Sequence, residues 1–165
     1  MKILAIDAST KSTGVAIFED KNLIEYKCIT AASSNLYTRI EKMQTEIREI
    51  LKTHKIDKVV IEDVIPEDVH NNTNVFKALM YLQGALCMVF NQFSITPEFL
   101  YPNEWRSKCG IPTGRNKRES LKPKDIAFVK QHFGIDVNDD IADAICIGYA
   151  ATLNNGYKVG GFEFK

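Results

Sequence analysis

Residues 2–7 (KILAID) form a short apolar run, and the pattern returns at 14–19 (GVAIFE) and 23–29 (LIEYKCI) across short polar turns containing Asp20, Lys21 and Asn22. Three such runs in succession predict an antiparallel meander. Leu36, Ile40, Met43, Ile47 and Leu51 then recur at steps of four and three, which predicts an amphipathic helix over roughly 35–54. Lys58-Val59-Val60-Ile61-Glu62 reads as a fourth strand ending in an acid. A polar loop from Pro66 to Asn74 leads into a long helix over 74–92, carrying Phe76, Leu79, Met80, Leu82, Leu86 and Val89. Ile95 to Tyr101 predicts a fifth strand, interrupted by Pro97 and therefore at an edge. A short helix around 103–108 follows, then one over 123–133 with Pro123 in its first turn. Asn138 caps a last helix running to about Asn154, and the final ten residues show no period. This order predicts one α/β domain spanning 1–165, with a mixed five-stranded sheet covered by helices on both faces.

With 165 residues, 45% of them hydrophobic, the chain is long enough to bury a core, and its composition excludes a disordered or fibrous protein. No apolar run reaches the ~18 residues of a membrane span. The early acid Asp7 argues against a signal peptide, so a cytoplasmic location is expected. Cys28, Cys87, Cys109 and Cys146 form no C-x-x-C pair, and Cys28, Cys87 and Cys146 read as small buried thiols of a reducing compartment. Neither they nor His54, His70 and His132 stand at zinc-ligand spacing.

Charge changes the picture once it is located. The totals, 21 basic and 21 acidic residues, cancel. Residues 101–124 nevertheless hold seven basic residues (Arg106, Lys108, Arg115, Lys117, Arg118, Lys122, Lys124) and two acidic ones, leaving the remainder acidic. A cationic stretch containing Gly110, Pro112, Gly114 and the single Trp105 suits a path along a phosphate backbone or, equally, a solvated loop. Trp105 itself is read chiefly as a packing residue.

Four acids stand out. Asp7 lies in an apolar strand, Glu62 ends another, and Asp140 and Asp143 share one face near the start of the last helix. Burying carboxylates is costly unless they are paired or bind a cation. Should the first and fourth strands be neighbours, these acids converge without comparable basic partners, a donor set that suits Mg²⁺.

The same residues carry a resemblance. ILAIDASTKSTGVAI, VVIEDV and DDIADAICIGYA, with ALMYLQGAL and YPNEWRSKCGI between them, resemble the RuvC family of Holliday-junction resolvases, in particular its short bacteriophage forms, over roughly residues 2–151. The resemblance implies a ribonuclease H-like fold, a homodimer, and paired nicks on four-way DNA. It places the family's metal-binding, catalytic acids on Asp7, Glu62, Asp140 and Asp143, with Asp139 adjoining Asp140. Two Mg²⁺ ions, with Mn²⁺ able to substitute, would then activate water and steady the leaving 3′ oxygen. Where family members place an aromatic after the second acid, this chain has Ile65, and the nearest aromatic is Phe76. The family's basic residues fall in the stretch from Arg106 to Lys124. Two other readings share parts of the pattern. A ribonuclease H-like nuclease acting on flaps, other branched DNA or RNA–DNA hybrid would use the same acids. An actin-like nucleotide-binding domain would share the Asp7-Ala8-Ser9-Thr10 turn, but it needs a second domain that 165 residues do not supply.

Overall fold

The structure, a computed structural model, describes residues 1–65, 72–113 and 118–153, with the side chains of Arg118 and Glu119 outside the description. Strands β1 (Lys2–Asp7), β2 (Ser12–Glu19) and β3 (Asn22–Thr30) form the expected antiparallel meander. Helix α1 (Leu36–Thr53) leads to β4 (Lys58–Glu62), which pairs parallel to β1, and α2 (Thr73–Gln92) leads to β5 (Glu98–Leu100), parallel to β4. Helices α3 (Pro102–Lys108), α4 (Arg118–Phe133) and α5 (Asp139–Thr152) follow. The sheet order is β3-β2-β1-β4-β5.

Strand alternation divides the core in two. Leu4, Ile6, Val59 and Ile61 face α1 and α2, burying Ile40, Met43, Ile47, Leu82, Leu86 and Phe90. Ile3, Ala5 and Val60 face the other way, against Trp105 of α3, Val129 of α4 and Ile145 and Ile147 of α5. Successive side chains point to opposite faces of a strand. Asp7, two residues beyond Ala5, and Glu62, two beyond Val60, therefore share the face covered by α3 and α5.

Helix α5 lies unusually close to the sheet, and two glycines make room for it. A Cβ on Gly14 would fall 1.8 Å from the backbone oxygen of Asp140, and one on Gly148 would fall 2.5 Å from the Phe18 ring. Asn138 caps α5 as expected, its side chain accepting from the Ile141 N–H at 3.0 Å.

Two elements, and the burial of two cysteines, differ from the sequence reading. β5 spans only three residues because it starts after Pro97, which has no N–H to give the ladder. α4 starts at Arg118, so Pro123 sits inside the helix and not in a first turn. Leu121, 7% exposed, anchors the added turn, offsetting the hydrogen bond a proline cannot make. Of the cysteines expected to be buried, only Cys146 is; Cys28 and Cys87 are half-buried. Helix α2 is long and apolar enough to meet the length and composition of a membrane span. Here its Leu82, Leu86, Val89 and Phe90 are packed into the core.

Candidate active site

The parallel register Ala5↔Val60 and Ile6↔Ile61 brings the ends of β1 and β4 side by side, and with them Asp7 and Glu62, 8% and 9% exposed. Gly14 pairs with Asp7 across β2, and its bare Cα admits the Asp140 backbone. One turn further along α5, Asp143 is 2% exposed. Its carboxyl is pushed up to about 10, first by burial and then by the charges of Asp7, Glu62 and Asp125, with Arg106 opposing. That mutual repulsion is the electrostatic signature of acids gathered at one place. One oxygen, Asp143 Oδ1, is buried without a hydrogen-bond partner.

Neighbouring side chains hold these acids. The Trp105 indole N–H donates to Glu62 Oε2 at 2.9 Å, and Gln83 of α2 donates to the Glu62 backbone oxygen at 2.9 Å. The Ser12 hydroxyl donates to Asp140 Oδ2 and lies 3.1 Å from the Cys28 thiol. Asp139, by contrast, pairs with Lys122, whose hydrogen bond holds its carboxyl below the usual carboxylate range. Adjacent on one helix, Asp139 turns toward α4 and Asp140 toward β2.

Arg106 departs from its expected role as a DNA contact. It is 3% exposed, donates from Nε and Nη2 to Asp125 at 3.0 and 2.8 Å, and stands 3.8 Å from Asp143. A guanidinium on the inner face of a short helix and surrounded by apolar core finds its carboxylate inside. The other sequence-predicted cations divide. Lys108 is half-exposed on α3, Lys122 is engaged by Asp139, and Lys124 Nζ donates to the Pro112 oxygen at 3.0 Å. Arg115 and Lys117 lie outside the described residues, as does the side chain of Arg118.

Sequence reasoning missed Ser12, Gln83, Asp125 and the hydrogen bond from Trp105 to Glu62, whereas the burial of Trp105 bears out its reading as a packing residue. Only Trp105 carried a signal, as the single tryptophan in a polar, basic stretch. Among the described residues, no three His, Cys, Asp or Glu side chains stand close enough to grip an ion as placed.

A mixed sheet with this order, carrying acids at the ends of its two central parallel strands and on the helix across them, defines a ribonuclease H-like nuclease fold. The family model for the crossover junction endodeoxyribonuclease RuvC matches residues 3–149. The chain belongs to the RuvC family, whose members are metal-dependent nucleases. Among its relatives, RuvC of Ehrlichia ruminantium (strain Welgevonden) is 29% identical over 160 residues, covering 91% of this chain and 98% of that protein. RuvC of Campylobacter concisus is 33% identical over 167 residues, covering 96% and 99%. Among solved structures, T. thermophilus RuvC in complex with a Holliday junction substrate shares the fold, with a TM-score of 0.75 at 12% identity over 92% of this chain and 93% of that one.

Proposed function

We propose that this chain resolves four-way DNA junctions as a homodimer, with Asp7, Glu62, Asp140 and Asp143 holding Mg²⁺ at each active site. The observation that carries the reading is Asp143. It is a buried carboxyl with an orphaned oxygen, destabilised as an anion by three neighbouring acids and only partly relieved by Arg106 at 3.8 Å. Such a group is costly in a fold unless something else uses it. A donor set made wholly of carboxylate oxygens fits a hard divalent cation. The side chains would draw together on binding, since they do not form a ready-made cage.

Bound there, divalent cations would activate water for attack and stabilise the leaving oxygen. The chain's own residues do the rest. Asp7 and Glu62 are fixed by strand register at the C-terminal ends of β1 and β4, so their separation does not depend on a loop. Burial and the neighbouring acids favour the protonated form of the Asp143 carboxyl at neutral pH, and a cation held there would displace that proton. Arg106, clamped by Asp125, keeps one fixed positive charge behind the acids, where it lessens their repulsion without reaching the DNA.

The dimer reading rests on α2. Met80, Tyr81 and Met88 are 42%, 52% and 62% exposed, and with Gly84 they form a stripe opposite the core-facing Leu82, Leu86 and Val89. Phosphate contacts would come from Lys108, Arg115, Lys117, Arg118, Lys122 and Lys124, with Lys122 and Lys124 first leaving the partners they have here.

The test is cleavage in Mg²⁺ of a four-way junction beside a three-way junction, a flap, duplex and RNA–DNA hybrid. Symmetric paired nicks confined to the four-way junction are expected. Equal cutting of flap or hybrid would assign the site to a different substrate.

A further inference from the structure

Among the hydrogen bonds that hold Glu62, one donor is chemically unusual for a buried acid. A carboxylate enclosed by protein is ordinarily met by Arg or Lys, which neutralise it. Here a neutral donor, the Trp105 indole N–H, meets the side chain at 2.9 Å. A neutral donor orients a carboxylate without cancelling its charge, whereas a cation at that distance would compete with a metal ion for the same oxygens.

The rest of α3 is built to hold that indole still. Pro102 starts the helix, and Glu104 caps it by accepting from the Tyr101 N–H at 3.0 Å. Trp105 is 0% exposed, and the Arg106 guanidinium lies over its ring, 4.0 Å from the ring centre. Arg106 is in turn locked to Asp125 by paired hydrogen bonds. On the other side, Gln83, itself 4% exposed, fixes the Glu62 backbone oxygen. A free glutamate loses rotamer freedom when immobilised. With the Trp105 hydrogen bond in place that loss is met in the fold, before any cation arrives.

We infer that Trp105 is a positioning residue for metal binding, its indole N–H presetting the Glu62 carboxylate for a divalent cation. The inference rests on the reading of Glu62 as a metal ligand. A residue that merely fills space would be replaced by any ring of similar size; a donor that orients a ligand would not. Removing such a neighbour of a metal ligand typically weakens metal binding or activity about 10–100-fold.

Trp105→Phe keeps an aromatic ring and deletes the donor. The Mg²⁺ concentration giving half the metal-induced rise in Tm, and that giving half-maximal junction cleavage, should both increase about tenfold or more. Affinity for a four-way junction without metal should not change. Mg²⁺ dependence identical to wild type in both assays would overturn the inference and leave the proposed function standing. Should Trp105→Phe fail to fold, the wild-type protein carries its own probe, because Trp105 is its single tryptophan. Mg²⁺ should alter the indole emission in wild type and leave it unaltered in Glu62→Gln. An emission indifferent to Mg²⁺ in a wild-type protein whose Tm responds to Mg²⁺ would overturn the inference. A wild-type protein that shows neither a Tm response nor cleavage with Mg²⁺ or Mn²⁺ would overturn it together with the metal site itself.

Discussion

At the scale of single residues, Asp143 couples the candidate site to stability. Its carboxyl is raised to about 10 in the fold, against an unfolded value of about 3.9. Between those values the folded state holds a proton that the unfolded state has lost, so this residue's contribution to stability falls as pH rises from about 4 toward 10. Metal-free Asp143→Asn should therefore have a flatter Tm-against-pH curve than wild type and a higher Tm at pH 8. At this chain length the gain is about 2–4 °C for each kcal/mol of strain relieved. Parallel wild-type and variant curves, measured calorimetrically in chelator, would contradict the buried-acid account. Arg106 gives the complementary case. Arg106→Ala leaves Asp125 buried without its partner and should cost about 3–5 kcal/mol of stability. It should not alter the salt dependence of DNA binding, because a guanidinium 3% exposed touches no phosphate.

At the scale of elements, the placement of α5 against β2 decides whether the acids meet. Gly14 and Asp140 are in backbone contact, so Gly14→Ala must displace either the strand or the helix end that carries Asp140. Overpacking of this kind typically costs about 1–3 kcal/mol, and here cleavage should fall far more than stability accounts for. Urea unfolding beside cleavage rates checks this; a variant with both unchanged would mean α5 does not need that approach. Much of this arrangement was legible in the sequence. The periodicities of β1 to β4, α1, α2 and α5 gave the elements, and the meeting of Asp7 and Glu62 followed on the condition that β1 and β4 are neighbours, which their parallel pairing meets. The helix ends were less legible at α4, where Pro123 suggested a start five residues late, because burial of Leu121 outweighs the missing N–H. The inward turn of Arg106 was not legible at all. In sequence it sits in a cationic stretch, and only the path of α3 across the sheet shows that its neighbour at 2.8 Å is Asp125, 19 residues further along the chain.

For the whole molecule, the zero net charge hides an uneven distribution, and binding should follow that distribution. Exchanging Lys117 and Arg118 together for Ala should weaken junction binding and lower the slope of log K against log salt by about one unit for each phosphate left unneutralised. An unchanged slope would remove that segment from the interface. Assembly should depend on the exposed stripe of α2. Met88→Glu, at a position 62% exposed, should leave the monomer fold intact and reduce the mass in analytical ultracentrifugation to that of one chain. It should also uncouple the paired nicks into single ones. A wild-type protein already monomeric at micromolar concentration would refute the dimer.

All of these expectations depend on the acids at the meeting point of β1, β4 and α5 being the seat of the chemistry. Asp7→Asn tests that most directly, since the change keeps the shape of a side chain 8% exposed and removes only its charge. Cleavage of a four-way junction in Mg²⁺ should be abolished while binding of the same junction is retained or tightened. Nicking by Asp7→Asn at a rate near that of wild type would contradict the account.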